Sequence, residues 1–293
     1  MSARWPQPAR SAHVAPPMRI HHINCGAMRP YGGSLFDGQT PGLGPATLTC
    51  HCLVLEAGAG LVLVDTGTTS LDAEAAARRH SPLFRTMDRI RLDPAEAAVS
   101  RIRALGLDPE RVGHVVMTHL DFDHAAGLVD LPGAAVHLSA AEAAAARLPR
   151  GAKDQERYRP GQWGRTDRWR TYDRFERDWY GLPATALQGL GEDILLVWLP
   201  GHTLGHCGVA VRRKDDWLLH AGDAVFHHRE LDMPRPYTPA AARAYQWFMQ
   251  DSQVERRRSL RALRRLKSRH GREVAVVCTH DPSLLPTAQV QGA

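Results

Sequence analysis

The side chains best suited to chemistry lie within one short segment, residues 118–127, which reads T-H-L-D-F-D-H-A-A-G. The segment contains four side chains that commonly bind metal ions: His119, Asp121, Asp123 and His124. It follows an apolar run at 115–117 that predicts the end of a buried strand. Carboxylates and imidazoles crowded into one small space repel or desolvate one another unless a cation neutralises them. The spacing therefore predicts a metal site at a strand end.

Three later motifs supply the groups that such a site would still lack. They are Pro200-Gly201-His202-Thr203, Ala221-Gly222-Asp223 and Thr279-His280-Asp281. Each follows closely after a predicted strand, and strand ends gathered on one rim give the rigid positions that a multi-ligand metal site needs. Imidazole and carboxylate together suit zinc, manganese or iron better than calcium or magnesium. The set contains no thiolate, which argues against a structural zinc cluster. The imidazole and carboxylate groups together instead predict a two-metal hydrolase.

The elements that position these groups can be placed from the hydrophobic pattern. Strand-like runs at 47–56 and 61–65, joined by a glycine-containing turn, predict a hairpin that leaves Asp65 at a strand's carboxyl end. Further strands are predicted at 112–117, 134–138, 194–199, 207–212, 216–221 and 273–278. Helices are predicted at 71–79, at 94–105, after Ser139 and within a long helical region at 239–270. Two β-rich halves flanked by helices predict an α/β fold, an αββα sandwich of two mixed sheets packed face to face between helical layers.

Residues 150–190 interrupt this rhythm, because they are charged and lack clean periodicity. They contain seven aromatic side chains: Tyr158, Trp163, Trp169, Tyr172, Phe175, Trp179 and Tyr180. Rings give a large contact area with little rotamer entropy to lose, so one interpretation is an inserted lid or pocket wall. A satellite packing cluster on an ordinary loop is the alternative, and the sequence alone leaves both open.

Length and composition limit the class of protein. The 293 residues suffice for one large domain or two ordinary ones, and we expect one domain at 18–293 after a disordered tail at 1–17. The chain contains no run of about 18 apolar residues that could span a membrane. The tail lacks the apolar core of a signal peptide. The five cysteines are scattered and odd in number, which predicts a reducing cytoplasm.

The net charge of +6 and the pI of about 9.3 raise the question of nucleic acid. Much of the excess lies at 255–272, where Leu260, Leu263 and Leu266 recur at every third residue. This pattern is typical of a helix with a buried stripe and a basic outer face. Because no aromatic residues alternate with the arginines, we interpret the face as solvated and do not expect a nucleic-acid partner. The oligomeric state stays open, a homodimer included.

Five motifs in order and spacing identify a family. They are Val64-Asp65-Thr66-Gly67, the segment 118–127, Pro200-Gly201-His202-Thr203, Gly222-Asp223 and Thr279-His280-Asp281-Pro282. Together they resemble the metallo-β-lactamase superfamily over about residues 19–286. Within that superfamily, the chain is most similar to the branch of N-acyl-homoserine-lactone lactonases.

The resemblance implies a cofactor of two divalent ions, zinc first, with manganese or iron as alternatives. One ion would be held by His119, Asp121 and His202, and the other by Asp123, His124 and His280, with Asp223 bridging them. Histidine is usual in the family at position 121. The extra carboxylate makes the ligand set one unit more negative, so we expect a weaker Lewis acid with more tolerance for manganese or iron.

The resemblance also implies a mechanism and a small-molecule substrate. The two ions activate a shared, bridging hydroxide that cleaves an ester or lactone, while Asp123 orients the attacking group and moves its proton. Asp223 is the second catalytic residue because it bridges the ions, and Asp65 orients His124. Lactonases carry a tyrosine where this chain has Phe226, which cannot donate a hydrogen bond.

Substitutes for that tyrosine, and other functions, stay open at this point. His227 or the next histidine would replace the phenol if it turned inward. A thioester hydrolase of the glyoxalase II kind is an alternative, because 201–206 reads G-H-T-L-G-H. A nuclease is a weaker alternative that rests on the basic helix alone. The remaining alternatives are a metal-binding protein without enzymatic activity and an iron redox enzyme. The aromatic segment favours an organic acyl substrate over a polyanion.

Overall fold

Two mixed β-sheets form the centre of the chain in the computed structural model, which describes residues 18–58, 60–159 and 161–285. The first sheet contains β1 (Arg19–Met28), β2 (Leu48–Ala57), β3 (Gly60–Val64), β4 (Ile90–Arg91), β5 (Val112–Val116), β6 (Ala135–Ser139) and β7 (Trp169–Tyr172), in the order β4-β1-β2-β3-β5-β6-β7. The second contains β8 (Arg177–Trp179), β9 (Leu182–Leu187), β10 (Gly191–Trp198), β11 (Cys207–Arg212), β12 (Trp217–His220) and β13 (Val274–Val277), in the order β13-β12-β11-β10-β9-β8. The predicted tail at 1–17 lies outside the described residues.

The sheets pack face to face through a shared hydrophobic core. Leu53 and Leu55 of β2 contribute to this core from the first sheet, and Leu196 of β10 contributes from the second. Because alternate residues of a strand point to opposite faces, Cys52 and Val54 pack on the outer side of the first sheet. The alternation in β2 therefore gives both faces of the strand an apolar partner.

Helices cover the outer faces of both sheets. They are α1 (Ser34–Asp37), α2 (Ala73–Arg79), α3 (Pro82–Asp88), α4 (Ala98–Ala104), α5 (Phe122–Ala125), α6 (Ala140–Arg147), α7 (Gly151–Arg157), α8 (Ala240–Met249) and α9 (Gln253–His270). Ile102 of α4 and Ala143 of α6 pack against the first sheet, and Leu263 of α9 packs against the second. The predicted αββα sandwich is confirmed. Among the described helices, none is long and apolar enough to cross a membrane.

Local signals explain where several elements begin and end. β2 and β3 pair antiparallel as the predicted hairpin. The hydroxyl of Ser139 accepts a hydrogen bond from the backbone N–H of Glu142 at 3.0 Å, as the N-cap of α6. The long helical region at 239–270 is two helices, because the backbone is extended at Gln250 and α9 begins after its N-cap, Ser252.

The segment 150–190 is part of both sheets, since it supplies α7, β7, β8 and all of β9. All seven of its aromatic rings pack against hydrophobic clusters of the fold: Tyr158, Trp163, Trp169, Tyr172, Phe175, Trp179 and Tyr180. The packing alternative describes these rings better than a lid does. The strands were not predicted because short edge strands carry little alternating pattern.

Candidate metal centre

The strand ends deliver the predicted ligands to one rim of the sandwich. The loop after β5 carries His119 to His124, and the loop after β10 carries His202. Asp223 follows β12 and His280 follows β13, which is parallel to β12. Gly222 has a φ of +52°, and a Cβ there would lie 2.7 Å from Nε2 of His206, so the turn before Asp223 requires glycine.

The ligand atoms form two groups, which we call the first half and the second half. The first half consists of His119, Asp121 and His202, and the second half consists of Asp123, His124 and His280. Asp223 lies between them. Its Oδ1 is 3.2 Å from Nε2 of His124 and 3.1 Å from Nε2 of His280. Its Oδ2 is 3.5 Å from Nε2 of His202 and 3.9 Å from Nε2 of His119.

Asp123 completes the second half, because its Oδ2 lies 3.5 Å from Nε2 of both His124 and His280. Within each of two sets, candidate ligand atoms all lie within 4.8 Å of one another: His119, His202 and Asp223 in one set, and Asp123, His124 and His280 in the other. The structure therefore brings together the residues that the motifs predict, in the division that the family resemblance implies.

Three imidazoles are oriented by acceptors on their outer nitrogens. Nδ1 of His280 lies 2.9 Å from the carbonyl of Thr49, and Nδ1 of His124 lies 2.9 Å from Oδ2 of Asp65. Because a carbonyl and a carboxylate only accept, both Nδ1 atoms carry the proton. The Thr118 hydroxyl donates to Asp65 and therefore accepts from Nδ1 of His119 at 3.0 Å. All three Nε2 lone pairs then face the cluster, which is the arrangement of a metal-binding histidine.

Three of the inner atoms lack hydrogen-bond partners of their own among the described residues. Nε2 of His119, Nε2 of His124 and Oδ1 of Asp223 are all buried without one. Burial would lower the pKa of His124, but the carboxylates of Asp223 and Asp123 raise it well above the usual range. Burial would likewise raise the pKa of Asp223, but the surrounding imidazoles, His280 first, hold it well below the usual range. Divalent ions would satisfy the same lone pairs and charges, so the donor set fits two ions.

Asp65 supports the second half from the end of β3. Its carboxylate accepts hydrogen bonds from the backbone N–H and the hydroxyl of Thr118, both at 2.8 Å, in addition to the one from His124. The backbone φ of Asp65 is +53°, a strained value that aspartate tolerates better than most residues. The family motif at 64–67 thus corresponds to a buried carboxylate that holds the ligand loop.

Phe226 covers the cluster, and the neighbouring histidines do not replace a tyrosine hydroxyl there. The Phe226 ring centroid lies 4.8 Å from that of His280 and 6.1 Å from that of His202. His227 instead caps the next turn by accepting from the backbone N–H of Arg229. Nδ1 of His228 lies 2.7 Å from Oδ2 of Asp281. These two imidazoles and Asp281 could group around an ion, but each makes a hydrogen bond within the protein.

A different phenol lies beside Phe226, and sequence reasoning missed it. The ring centroid of Tyr245, on α8, lies 6.0 Å from that of Phe226. Its hydroxyl is hydrogen-bonded to the buried carboxyl of Asp88. Burial, and then the charge of Asp123, raise the pKa of Asp88 well above its usual range. Tyr245 also packs on an apolar cluster beside the ligand loop, which comprises Phe84, Phe122, Met249 and Ile90.

A buried arginine in contact with Asp121 was also missed. Nε of Arg157, on α7, lies 2.7 Å from Oδ1 of Asp121, and the arginine is only 1% exposed. Burial would raise the pKa of Asp121, but the guanidinium and then His119 hold it well below its usual range. The guanidinium offsets the extra negative charge that Asp121 brings to the ligand set. We therefore revise the expectation of a weaker Lewis acid, which counted the carboxylates without this cation.

Comparisons with known proteins show similarities over most of the chain. A family model described as "Metallo-beta-lactamase superfamily" matches residues 46–278. The probable metallo-hydrolase Rv2300c of Mycobacterium tuberculosis is 36% identical over 275 residues, 94% of this chain and 84% of that protein. The N-acyl homoserine lactonase AttM of Rhizobium johnstonii is 29% identical over 205 residues, 67% of this chain and 68% of AttM. A solved N-acyl homoserine lactone hydrolase, with the product N-hexanoyl-L-homoserine at its catalytic metal centre, has a TM-score of 0.61 at 18% identity, covering 90% of this chain and 93% of that one.

Proposed function

Since this chain is a metallo-hydrolase that belongs to the metallo-β-lactamase superfamily, we propose that it binds two divalent ions, zinc first, and hydrolyses a small ester or lactone. The observation that carries the proposal is the position of Asp223 between the halves: Oδ1 faces the second half, and Oδ2 lies 3.5 Å from Nε2 of His202 as well as 3.2 Å from Nε2 of His280. A carboxylate in that position would hold both ions, and the flanking imidazoles would complete both sites.

When bound, two such ions lower the pKa of water, from about 15.7 towards about 7 for zinc, and polarise a carbonyl oxygen. The protein's own contribution is position and proton transfer. Asp123 is the group that accepts the proton of the attacking water and returns it to the leaving alkoxide. Thr49, Asp65 and Thr118 keep the imidazoles turned so that Nε2 of each faces the cluster.

The substrate class follows from what borders the centre. Phe226 and the apolar cluster around Phe122 provide a surface that favours an acyl chain over a polyanion. Tyr245 provides a hydroxyl beside that surface, and we assign it to binding a polar group of the substrate. Two of the similar proteins are a lactonase and a lactone hydrolase by name, which supports the same class. The cysteines are all free and buried, which supports a cytoplasmic location.

The alternatives receive less support from the described residues. In the G-H-T-L-G-H motif, His206 is structural: its Nδ1 faces the Leu199 carbonyl at 2.9 Å and its Nε2 accepts from the backbone N–H of Asp223 at 3.0 Å. The basic helix α9 buries its leucine stripe, and two of its cations pair with acidic neighbours: Arg258 with Glu255, and Lys267 with Asp232. Neither feature requires a thioester or a nucleic acid.

The test combines metal analysis with a matched substrate panel. The purified protein is assayed on N-acyl-homoserine lactones of increasing chain length, aryl esters, a glutathione thioester and single-stranded RNA. We expect about two ions per chain and a kcat/KM for lactones or esters that rises with acyl length, with loss of turnover in Asp123→Asn. Turnover of the thioester or RNA alone by the metal-loaded protein would contradict the proposal, as would no turnover of any ester.

A further inference from the structure

Asp121 is shared between the metal centre and Arg157. Its Oδ2 lies 2.9 Å from Nε2 of His202 and 3.5 Å from Nε2 of His119, so this oxygen faces the first half. Its Oδ1 lies 2.7 Å from Nε of Arg157. The carboxylate is 5% exposed and the arginine 1%. Water is therefore excluded from both members of this ion pair, and each depends on the other for neutralisation.

The guanidinium is fixed by the rest of the molecule. Nη1 of Arg157 lies 2.9 Å from Oδ1 of Asp251 and donates to the carbonyl of His202 at 3.4 Å. Nη2 donates to the carbonyl of Met249 at 2.8 Å. These partners lie in the loop after β10 and between α8 and α9, so Arg157 connects α7 to both. The planar fork of arginine can hold several acceptors in fixed directions, which lysine cannot.

We propose that Arg157 is a positioning residue for the first metal ion, acting through Asp121. It holds Oδ1 so that only Oδ2 is available to the ion. It also cancels one negative charge, so the Asp121–Arg157 pair contributes the same net charge as a neutral imidazole. The inference rests on the metal-binding function proposed above.

Three variants test the pair: Asp121→His, Arg157→Met and the double variant. In Asp121→His, the guanidinium of Arg157 loses the carboxylate that neutralises it and repels a divalent ion in the first half. We therefore expect about one ion per chain, even though histidine can itself bind a metal ion. In Arg157→Met, Oδ1 of Asp121 loses the cation that holds it, so the carboxylate, which already lies 2.9 Å from Nε2 of His202, can turn both oxygens toward the imidazoles and must be reordered by the metal. We expect the first ion to bind about 10-fold to 100-fold more weakly. The double variant restores net neutrality, so it should regain two ions.

The readouts are the metal-to-chain ratio by mass spectrometry and the dissociation constants by competition with a chromophoric chelator. Lys153→Met is the matched control, because Lys153 lies on the same helix and contacts Asp251, Met249 and Gln250 but not Asp121. It should lower the thermal midpoint and leave the metal ratio unchanged. Circular dichroism on each variant verifies folding.

Each outcome either supports or overturns the inference about Arg157. Two ions bound with wild-type affinity by Asp121→His would overturn the inference, as would a double variant weaker than both single variants. If Lys153→Met lost as much metal as Arg157→Met, Arg157 would act only by stabilising the fold. That result would also overturn the inference. If the wild type binds no metal, the proposed function fails as well; if the wild type binds two ions and rescue fails, only the role of Arg157 fails.

Discussion

The two halves of the metal centre are built from different supports. In the second half, the β-sheet framework orients the imidazoles, because His124 and His280 face acceptors at Asp65 and at the Thr49 carbonyl. In the first half, a cation on a helix holds the carboxylate of Asp121. Both halves contain imidazoles that are held at strand ends, since Thr118 orients His119, but only the first half also depends on α7 and on the loop between α8 and α9.

This difference separates what a local motif specifies from what packing specifies. The supports of the second half come from motifs beside strands, where alternation fixes the direction of each side chain. Arg157 lies 36 residues after Asp121 in sequence, and only tertiary packing brings it to the centre. Variants should therefore affect the halves differently, except at Asp223, which serves both.

Asp223→Ala should have the largest effect, because it removes the one carboxylate among the described residues that we place between both halves. We expect loss of both ions and of activity together, measured by mass spectrometry and by ester hydrolysis. Asp232→Ala is the control, since Asp232 pairs with Lys267 away from the centre. Full metal content in Asp223→Ala would contradict a shared role of Asp223, because the two halves would then bind their ions independently of it.

Asp123→Asn should be next, with a decrease in kcat of about 10²-fold to 10⁴-fold, the range of a lost general acid–base group. An amide keeps the shape but cannot take up the proton of the attacking water. The measurement is kcat on the best ester or lactone, at metal saturation. Wild-type turnover would remove Asp123 from the mechanism.

Asp65→Asn should weaken metal binding in the second half by about 10-fold to 100-fold. Asparagine tolerates the positive φ of this position, but its NH₂ group would face donors of Thr118 and His124. Chelator competition should show that Asp65→Asn weakens the second-half ion more, because Asp65 reaches His119 only through Thr118, and that Arg157→Met weakens the first-half ion more. If both variants lost the same ion, the separation of the halves would be wrong.

The smallest effects are expected at the substrate side. Phe226→Tyr adds a hydroxyl beside His280, and Tyr245→Phe removes one beside Phe226. A single hydrogen bond contributes about 1 kcal/mol, so we expect changes in kcat/KM for lactones of about tenfold or less. The metal content should stay unchanged in both. Unchanged lactone kinetics in Tyr245→Phe would exclude its hydroxyl from substrate binding.

Much of the fold could be predicted because its signals are local. Apolar runs that end at motif residues located β3, β5 and β12 to within a few residues, and the leucine stripe of α9 indicated its buried face. The short strands β7 and β8 could not be predicted, since they lie at or near sheet edges and carry no clear alternation. The rings of Tyr172 and Trp179 pack into hydrophobic clusters whose other members come from distant segments of the chain.

The candidate ligands could be named from the motifs, but their supporting partners could not. The carboxylate at Asp121 made the ligand set more negative, yet the segment 150–190 offers several arginines in the same polar context. Burial of Arg157 is decided by Asp251 and the Met249 carbonyl, which lie about 90 residues further along the chain. Such a choice depends on three-dimensional contacts that no short pattern encodes.

The most direct test of the two-metal centre is the number of ions bound by the wild-type protein. Metal-free protein is titrated with zinc against a chromophoric chelator, and bound zinc is then counted by mass spectrometry after buffer exchange. We predict saturation at two ions per chain, with one dissociation constant for each half. Retention of no more zinc than the Asp223→Ala variant retains would contradict the assignment of the seven side chains as ligands.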